Sequence, residues 1–198
     1  MTESTQLALF PLQTVLFPGG LLPLRVFEPR YLDLVSHCLR TDESFGIVLI
    51  AEGQEVGQPA RPHRTGTRAR ISSCDAQQSG LLQITVTGER RFRILDTATG
   101  PNGLLSARVE WLQQRPALAL PAEHAMLVTV LRGIIDDLGS EHFPAPWHFD
   151  DADWVGMRLA AVLPIPERAR QALLELELPL DRLEIIHRYL SQRGLRPD

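Results

Sequence analysis

The stretch LALFPLQTVLFPGGLLPLRVFEPRYLDLV, residues 7–35, contains the pattern that decides the fold. Short apolar runs lie on either side of the Pro-Gly turn at Pro18, as in strands that are joined by a corner. In the following segment, from Glu28 to Arg40, the spacing of the apolar residues changes. Its apolar residues recur at helical spacing, and Pro29 stands at a helix-opening position. We therefore predict two strands followed by one helix.

Beyond this helix, the chain continues with strand-like patterns as far as residue 111. The run FGIVLI at 45–50 is apolar throughout and has the length of a buried strand. Apolar and polar residues then alternate, which places them on opposite faces of a strand. The alternating segments are 67–71, 82–86, 91–94 and 105–111. Several short strands with turn signals between them predict a small barrel or sandwich.

The pattern changes at Arg115–Pro116, where the apolar period becomes roughly 3.6 residues. Four helices are predicted to follow, and their expected first residues or caps are Pro121, Asp150 with Asp151, Pro166 and Asp181. Residues 1–115 carry 12 arginines and 11 acids, whereas residues 116–198 carry 8 arginines and 13 acids. We predict a β-rich domain over 1–115 and an acidic helical domain over 116–198. We expect them to pack as one body, because short helices must bury their apolar stripes.

The composition excludes several classes of protein. Hydrophobic residues make up 44% of the chain and charged residues 22%, with a net charge of −4, which is ordinary for a globular protein. All twenty basic residues are arginine, which excludes Schiff-base chemistry, a Ser–Lys dyad and a P-loop lysine. The chain has two cysteines, no apolar run of membrane-span length and no basic N-terminal region. We therefore expect a cytoplasmic protein without a disulfide scaffold.

Five segments occur in an order that identifies a family resemblance. They are the opening stretch with Phe17-Pro18-Gly19 and Leu22-Pro23-Leu24, then FGIV at 45–48, GTRARI at 66–71, VTGERRF at 86–92, and LAAVLPIPERARQALLELELPLDRLEIIHRYL at 159–190. Together they resemble the N-terminal, substrate-binding domain family of the Lon protease, which also occurs as stand-alone bacterial proteins and in cereblon. The resemblance spans nearly the whole chain. It implies an α+β fold, with a PUA-like pseudo β-barrel followed by a C-terminal helical subdomain.

The resemblance also implies a function class. The family role of this portion is recognition of protein substrates, and the family has no catalytic residues to carry over. The ATPase and Ser–Lys peptidase domains of the full protease are not expected here, because the chain ends at Asp198 and has no lysine. We therefore expect a non-enzymatic module without a cofactor. Its expected partners are proteins or unfolded peptide segments, with a protease or chaperone machine as a further candidate, and no membrane.

One loop of the helical half is rich in aromatic residues. Four of the twelve aromatics of the chain lie within twelve positions: Phe143, Trp147, Phe149 and Trp154. These rings either fill the seam between barrel and helices or form a partly exposed platform for an unfolded segment. For the platform, we predict Trp147 as the main contact. Phe17 and Pro18 of the first barrel corner are the expected opposite wall.

The sequence predicts neither a cysteine–histidine catalytic site nor a metal site. His37 and Cys38 are neighbours on a predicted helix and point about 100° apart, so they do not pair as base and nucleophile. Cys74 stands near His63 in sequence, but no triad is recognisable. Several polar residues of the aromatic loop also lack an established metal-ligand spacing, and no metal is predicted. They are His142, His148, Asp150, Asp151 and Asp153.

The alternative function is RNA binding by the barrel, because PUA-like barrels elsewhere bind RNA. Its predicted strands are rich in arginine, at Arg61, Arg64, Arg68, Arg70, Arg90, Arg91 and Arg93. RNA recognition also requires aromatic rings beside the basic residues, and only Phe92 is available on these strands. The net charge and the acidic helical half oppose this function. A solvated strand face explains the arginines without it.

Overall fold

The computed structural model describes residues 4–57, 60–78 and 80–194. Their contacts define two compact units, Met1–Gln113 and Gln114–Asp198. The first unit contains, in chain order, β1 (Ser4–Leu12), β2 (Leu21–Val26), α1 (Pro29–Thr41), β3 (Phe45–Glu52), β4 (Arg61–Gln78), β5 (Leu81–Thr99) and β6 (Leu105–Trp111). The second unit contains α2 (Ala125–Leu138), α3 (Ala152–Val162), α4 (Glu167–Glu175) and α5 (Pro179–Gln192). We call them the barrel unit and the helical unit.

The six strands of the barrel unit form one mixed sheet in the order β2-β5-β4-β3-β1-β6. Because β5 also pairs with β6, the sheet closes on itself as a barrel and removes most of its free edges. Strands β1 and β3 are parallel, and the other pairs are antiparallel. The predicted α+β class, a pseudo-barrel followed by helices, is confirmed.

The prediction of several short strands is wrong for the middle of the barrel. There, β4 and β5 are 18 and 19 residues long and form one continuous hairpin. Thr67 pairs with Arg91 while Ala69 pairs with Gly88, so the register shifts between the two pairs. Such a bulge bends a strand pair, and β5 pairs with β2 in its first half and with β6 in its second. Because of this bend, the single strand β5 can pair with β2 in one part of the barrel and with β6 in another.

The Pro-Gly corner after β1 is anchored to β5 at Gly88. The backbone N–H of Gly19 donates to the Gly88 carbonyl over 2.6 Å, and the Gly88 N–H donates to the Gly20 carbonyl over 2.8 Å. A Cβ atom at position 88 would collide with the carbonyl oxygen of Phe17, so this close approach requires glycine. Phe17 itself is 1% exposed. The corner is thus a packed part of the barrel unit.

Helix α1 begins at Pro29 as predicted and packs its apolar face onto the barrel. Its Tyr31 ring meets the Phe10 ring edge-on, with centroids 4.0 Å apart, and Phe10 in turn contacts Phe45. The buried cluster also includes Leu34, Val35 and Cys38 of the helix. This cluster holds α1 against β1 and β3.

In the helical unit, Asp151 caps α3 because its side chain accepts from the backbone N–H of Asp153 over 3.0 Å. The expected cap at Asp181 is wrong, since α5 begins two residues earlier at Pro179 and Asp181 lies in its first turn. Proline suits that opening position because it has no N–H to satisfy. Apolar side chains of all four helices are buried, including Leu127, Leu131, Val155, Leu159, Leu174, Leu183, Ile186 and Leu190.

Candidate functional site

The segment between α2 and α3, together with the start of α3, carries a stack of aromatic rings. The ring centroids of Trp147 and Phe149 lie 5.9 Å apart, and those of Phe149 and Trp154 lie 5.2 Å apart, both edge-to-face. This geometry is the favourable one for aromatic pairs. The guanidinium carbon of Arg132 lies 3.8 Å from the Phe149 centroid and covers that ring. We call Trp147, Phe149 and Trp154 the aromatic stack.

Trp147 is the exposed member of the aromatic stack, at 40% exposure. Its indole Nε1–H donates to the Phe143 carbonyl oxygen over 2.9 Å, so the only polar group of the side chain already has a partner. The ring therefore presents apolar surface in a fixed orientation. Phe149 and Trp154 are partly exposed behind it. A partner with apolar side chains would meet Trp147 first.

The other predicted platform residues are placed differently. Phe143 is 3% exposed and Phe17 is also buried, so neither ring offers surface to a partner in this conformation. Pro18 is partly exposed. Phe17 and Pro18 belong to the barrel unit, whereas Phe143 belongs to the helical unit. The surface available at the predicted site is therefore that of the aromatic stack.

Polar residues around the aromatic stack have structural partners. Asp151 caps α3, and Asp153 accepts a hydrogen bond from Arg182 over 2.6 Å. The His148 ring packs against Trp154 at a centroid distance of 6.3 Å. Within the described residues, no group of three His, Cys, Asp or Glu side chains is arranged to hold a metal ion. The chemistry available at the stack is apolar contact.

The buried cysteine of the barrel unit, Cys38, does not have the environment of an activated thiol. Cys38 is buried in the barrel core, and this burial, with a smaller contribution from Glu43, raises the pKa of its thiol to about 11. The neighbouring His37 turns away, and its Nε2 lies 3.0 Å from a Glu43 carboxylate oxygen. Cys74 is exposed. A reactive thiolate requires a lowered pKa, and Cys38 shows the opposite.

The structure contains a second apolar surface, in the helical unit, that we did not single out from the sequence. It is a groove of 210 Å³ between α4 and α5, which we call the α4–α5 groove. Its lining consists of Leu163, Ile165, Ala169, Ala172, Leu173, Leu176, Ile185, Ile186 and Tyr189. The sequence signal was the adjacent pair Ile185-Ile186, because two neighbouring isoleucines make the apolar stripe of α5 wider than one packed face requires.

Arginines on the barrel strands are mostly engaged by carboxylates. Arg68 Nε lies 2.8 Å from Glu89, and Arg93 Nη1 lies 3.2 Å from Glu110. Two more pairs join Arg61 with Glu52 and Arg70 with Asp42. Arg90 donates to the Leu112 carbonyl and lies over the Trp111 ring. At these four pairs, the barrel surface therefore carries charges of both signs side by side.

Comparison with protein families gives one match across nearly all of the chain. Residues 6–192 match the family described as the ATP-dependent protease La (LON) substrate-binding domain. The chain belongs to this Lon substrate-binding domain family. The resemblance that the five sequence segments indicate is thereby confirmed.

Solved structures place the fold in the same family. A Lon N-terminal domain protein from Xanthomonas campestris is 38% identical, with a TM-score of 0.77 over 98% of this chain and 99% of that one. The N-terminal domain of a Mycobacterium avium complex Lon protease shares the fold at 20% identity, with a TM-score of 0.67 over 94% of this chain and 98% of that one. In the first comparison, each chain is covered almost completely by the other.

Curated relatives of the Lon family are much longer than this chain. Lon protease 2 of Myxococcus xanthus is 25% identical over 94% of this chain but only 24% of its own length. Protein cereblon of Gallus gallus is 28% identical over 51% of this chain and 22% of its own length. The chain thus spans about a quarter of the curated relatives it matches. In the part of the chain that the structure describes, no helix combines the length and apolarity that a membrane crossing requires.

Proposed function

We propose that this chain is a non-enzymatic module that binds exposed apolar segments of other proteins. Its family is a substrate-binding domain, which supports recognition as its role. The observation that carries the proposal is the aromatic stack, where the Trp147 ring is 40% exposed although its indole N–H is hydrogen-bonded. Large rings with few rotatable bonds bind apolar side chains at a low cost in conformational entropy.

The aromatic stack suits this role because it is organised before a partner arrives. The Trp147 indole is tied to the Phe143 carbonyl, and Phe149 is held between two rings and the Arg132 guanidinium. A surface that is already ordered loses less freedom on binding. Apolar recognition of this kind does not require a specific sequence in the partner. It therefore fits an unfolded protein, in which apolar side chains are exposed.

Several features support a role without catalysis. The buried Cys38 has a raised thiol pKa, and His37 is engaged by Glu43. The sequence contains no lysine, so it lacks the amine of a Ser–Lys peptidase. We propose the cytoplasm as the location and a protease or chaperone machine as the system that the module serves.

The test is binding of Trp147→Ala to a fluorescently labelled, carboxymethylated model protein that cannot fold. We expect affinity to fall by about 1–2 kcal/mol, as for an aromatic anchor, with little change in melting temperature. Phe27→Ala is the matched control, because Phe27 is an exposed ring of the barrel unit and its removal should leave affinity unchanged. Normal binding by a Trp147→Ala variant that melts well below the parent would show that Trp147 serves packing.

A further inference from the structure

The α4–α5 groove leaves apolar side chains exposed to solvent. Ile185 on one wall is 47% exposed, and Ala172 on the other wall is also exposed. The only polar side-chain group of the lining, the Tyr189 hydroxyl, donates to the Pro164 carbonyl over 3.0 Å. The groove therefore offers apolar contact and no unused hydrogen-bonding side chain. Contiguous exposed apolar side chains are a common feature of interaction surfaces.

Two hydrogen bonds fix how the helices run along the groove. At one end, the Tyr189–Pro164 bond joins the second half of α5 to the chain just before α4. At the other end, Arg182 Nη2 donates to the Leu176 carbonyl over 2.7 Å and joins the start of α5 to the end of α4. The helices are antiparallel. Each end of the groove thus combines the beginning of one helix with the end of the other.

The charges along the groove are separated by sign. On α4, exposed Arg168 lies one turn before Ala172, and exposed Glu175 lies about one turn after it. Within the described residues, neither is in an ion pair, although Glu175 Oε1 accepts a hydrogen bond from Gln171 Nε2 over 2.7 Å. On α5, Asp181 lies at the same end as Glu175, whereas the Arg193 guanidinium stacks 4.6 Å from the Tyr189 ring at the opposite end. Glu167 also lies at the end with Arg168, but it pairs with Arg170 over 3.0 Å. That end of the groove is therefore basic overall, and the other end is acidic.

We propose that the α4–α5 groove is an interface between two copies of this chain. A twofold axis that lies in the interface and crosses the groove at right angles would place α4 antiparallel to α4 of the second copy. Arg168 of each copy would then face Glu175 of the other, and Ile185 would meet Ile185. A twofold axis along the groove would place like charges opposite each other. The charge pattern therefore selects one self-complementary arrangement.

The first test is sedimentation equilibrium of the full chain over a range of concentrations. We expect a reversible monomer–dimer equilibrium, which Ile185→Glu weakens by at least tenfold because it buries a charge against an apolar surface. Leu138→Glu is the matched control, since Leu138 is an apolar residue of α2 in the same unit at 51% exposure. Circular dichroism and melting temperature of both variants establish that they fold like the parent.

Charge reversal tests the orientation. Arg168→Glu places acids opposite each other at both ends of the interface and should weaken the dimer, and Glu175→Arg should do the same with bases. The double variant R168E/E175R restores opposite charges and should recover the parent dissociation constant. Without recovery, the proposed twofold arrangement is wrong.

Two other results would overturn the proposal. One is a monomer at every concentration, and the other is a dimer whose dissociation constant Ile185→Glu leaves unchanged. A monomeric chain whose groove binds an apolar peptide would assign the groove to a different occupant. The proposal is independent of the proposed function, because the aromatic stack is a separate surface. Binding of the unfolded model protein by Ile185→Glu distinguishes failure of one from failure of the other.

Discussion

The guanidinium of Arg182 donates from Nη1 to a carboxylate oxygen of Asp153 over 2.6 Å and so ties α5 to the first turn of α3. Its other nitrogens are also engaged, with Nε donating to the Leu173 carbonyl over 2.9 Å and Nη2 to the Leu176 carbonyl. The last carbonyls of a helix lack partners within the helix. The buried Arg182 side chain therefore donates to carbonyls at the end of α4, and it connects α3, α4 and α5.

Replacing Arg182 by methionine should destabilise the protein strongly. Methionine preserves much of the volume, but it removes the Arg182 hydrogen bonds to the Leu173 and Leu176 carbonyls and to the Asp153 carboxylate. We expect the free energy of unfolding to fall by about 2–4 kcal/mol, measured by urea denaturation. Arg188→Met is the control, because Arg188 forms an exposed pair with Glu184 and such pairs contribute at most about 1 kcal/mol. Equal losses in the two variants would contradict this role for Arg182.

Local signals in the sequence predicted the elements that depend on local chemistry. The corner at Pro18, the start of α1 at Pro29 and the cap of α3 at Asp151 all follow from backbone preferences of a few residues. The order of a β-rich half and a helical half followed from the change of apolar period near Arg115, and the α+β class with a PUA-like barrel followed from the family resemblance. These features require no knowledge of which elements contact each other.

The apolar pattern of the sequence did not predict the features that depend on strand pairing or side-chain packing. The lengths of β4 and β5 depend on the register shift near Gly88, which becomes visible only when the two strands are paired. The burial of Phe17 depends on the contact of its corner with β5. The α4–α5 groove exists because two antiparallel helices leave a gap between their side chains. Sequence periodicity identifies an apolar stripe but does not show which part of it a neighbour leaves uncovered.

Gly66→Ala should destabilise the barrel unit. A Cβ atom there would lie 2.5 Å from the Ile47 carbonyl oxygen and 2.7 Å from the Phe92 ring. Overpacking of this kind costs about 1–3 kcal/mol. Gly133→Ala in α2 is the opposite control, because nothing lies within 4 Å of its added Cβ and alanine should stabilise the helix by about 1 kcal/mol. Thermal denaturation of both variants measures the contrast, and a stable Gly66→Ala variant would refute the close packing.

The barrel should not bind RNA at physiological salt. Four of the seven arginines that would contact phosphates are paired with acids, including Arg68 with Glu89 and Arg93 with Glu110. RNA would have to displace those carboxylates while approaching a chain with a net charge of −4. Fluorescence anisotropy with a labelled single-stranded RNA should show no saturable binding. Tight binding that weakens steeply with added salt would instead support phosphate recognition and revive the alternative function.

The buried thiol of Cys38 should make the barrel unit less stable at high pH. Burial raises its pKa from the ordinary 9.0 to about 11 in the folded protein. The unfolded chain therefore releases this proton first, and ionisation favours unfolding. The stability that the neutral thiol contributes is complete below about pH 9 and is lost as the pH rises through 11. Urea denaturation at pH 8, 9 and 10 should show this decline, and Cys38→Ala should make it shallower.

Burial also raises the pKa of Tyr31, so part of the decline should persist in the variant. Cys74→Ala is the control, because Cys74 is exposed. An unchanged slope in Cys38→Ala would show that the thiol is not the group that titrates.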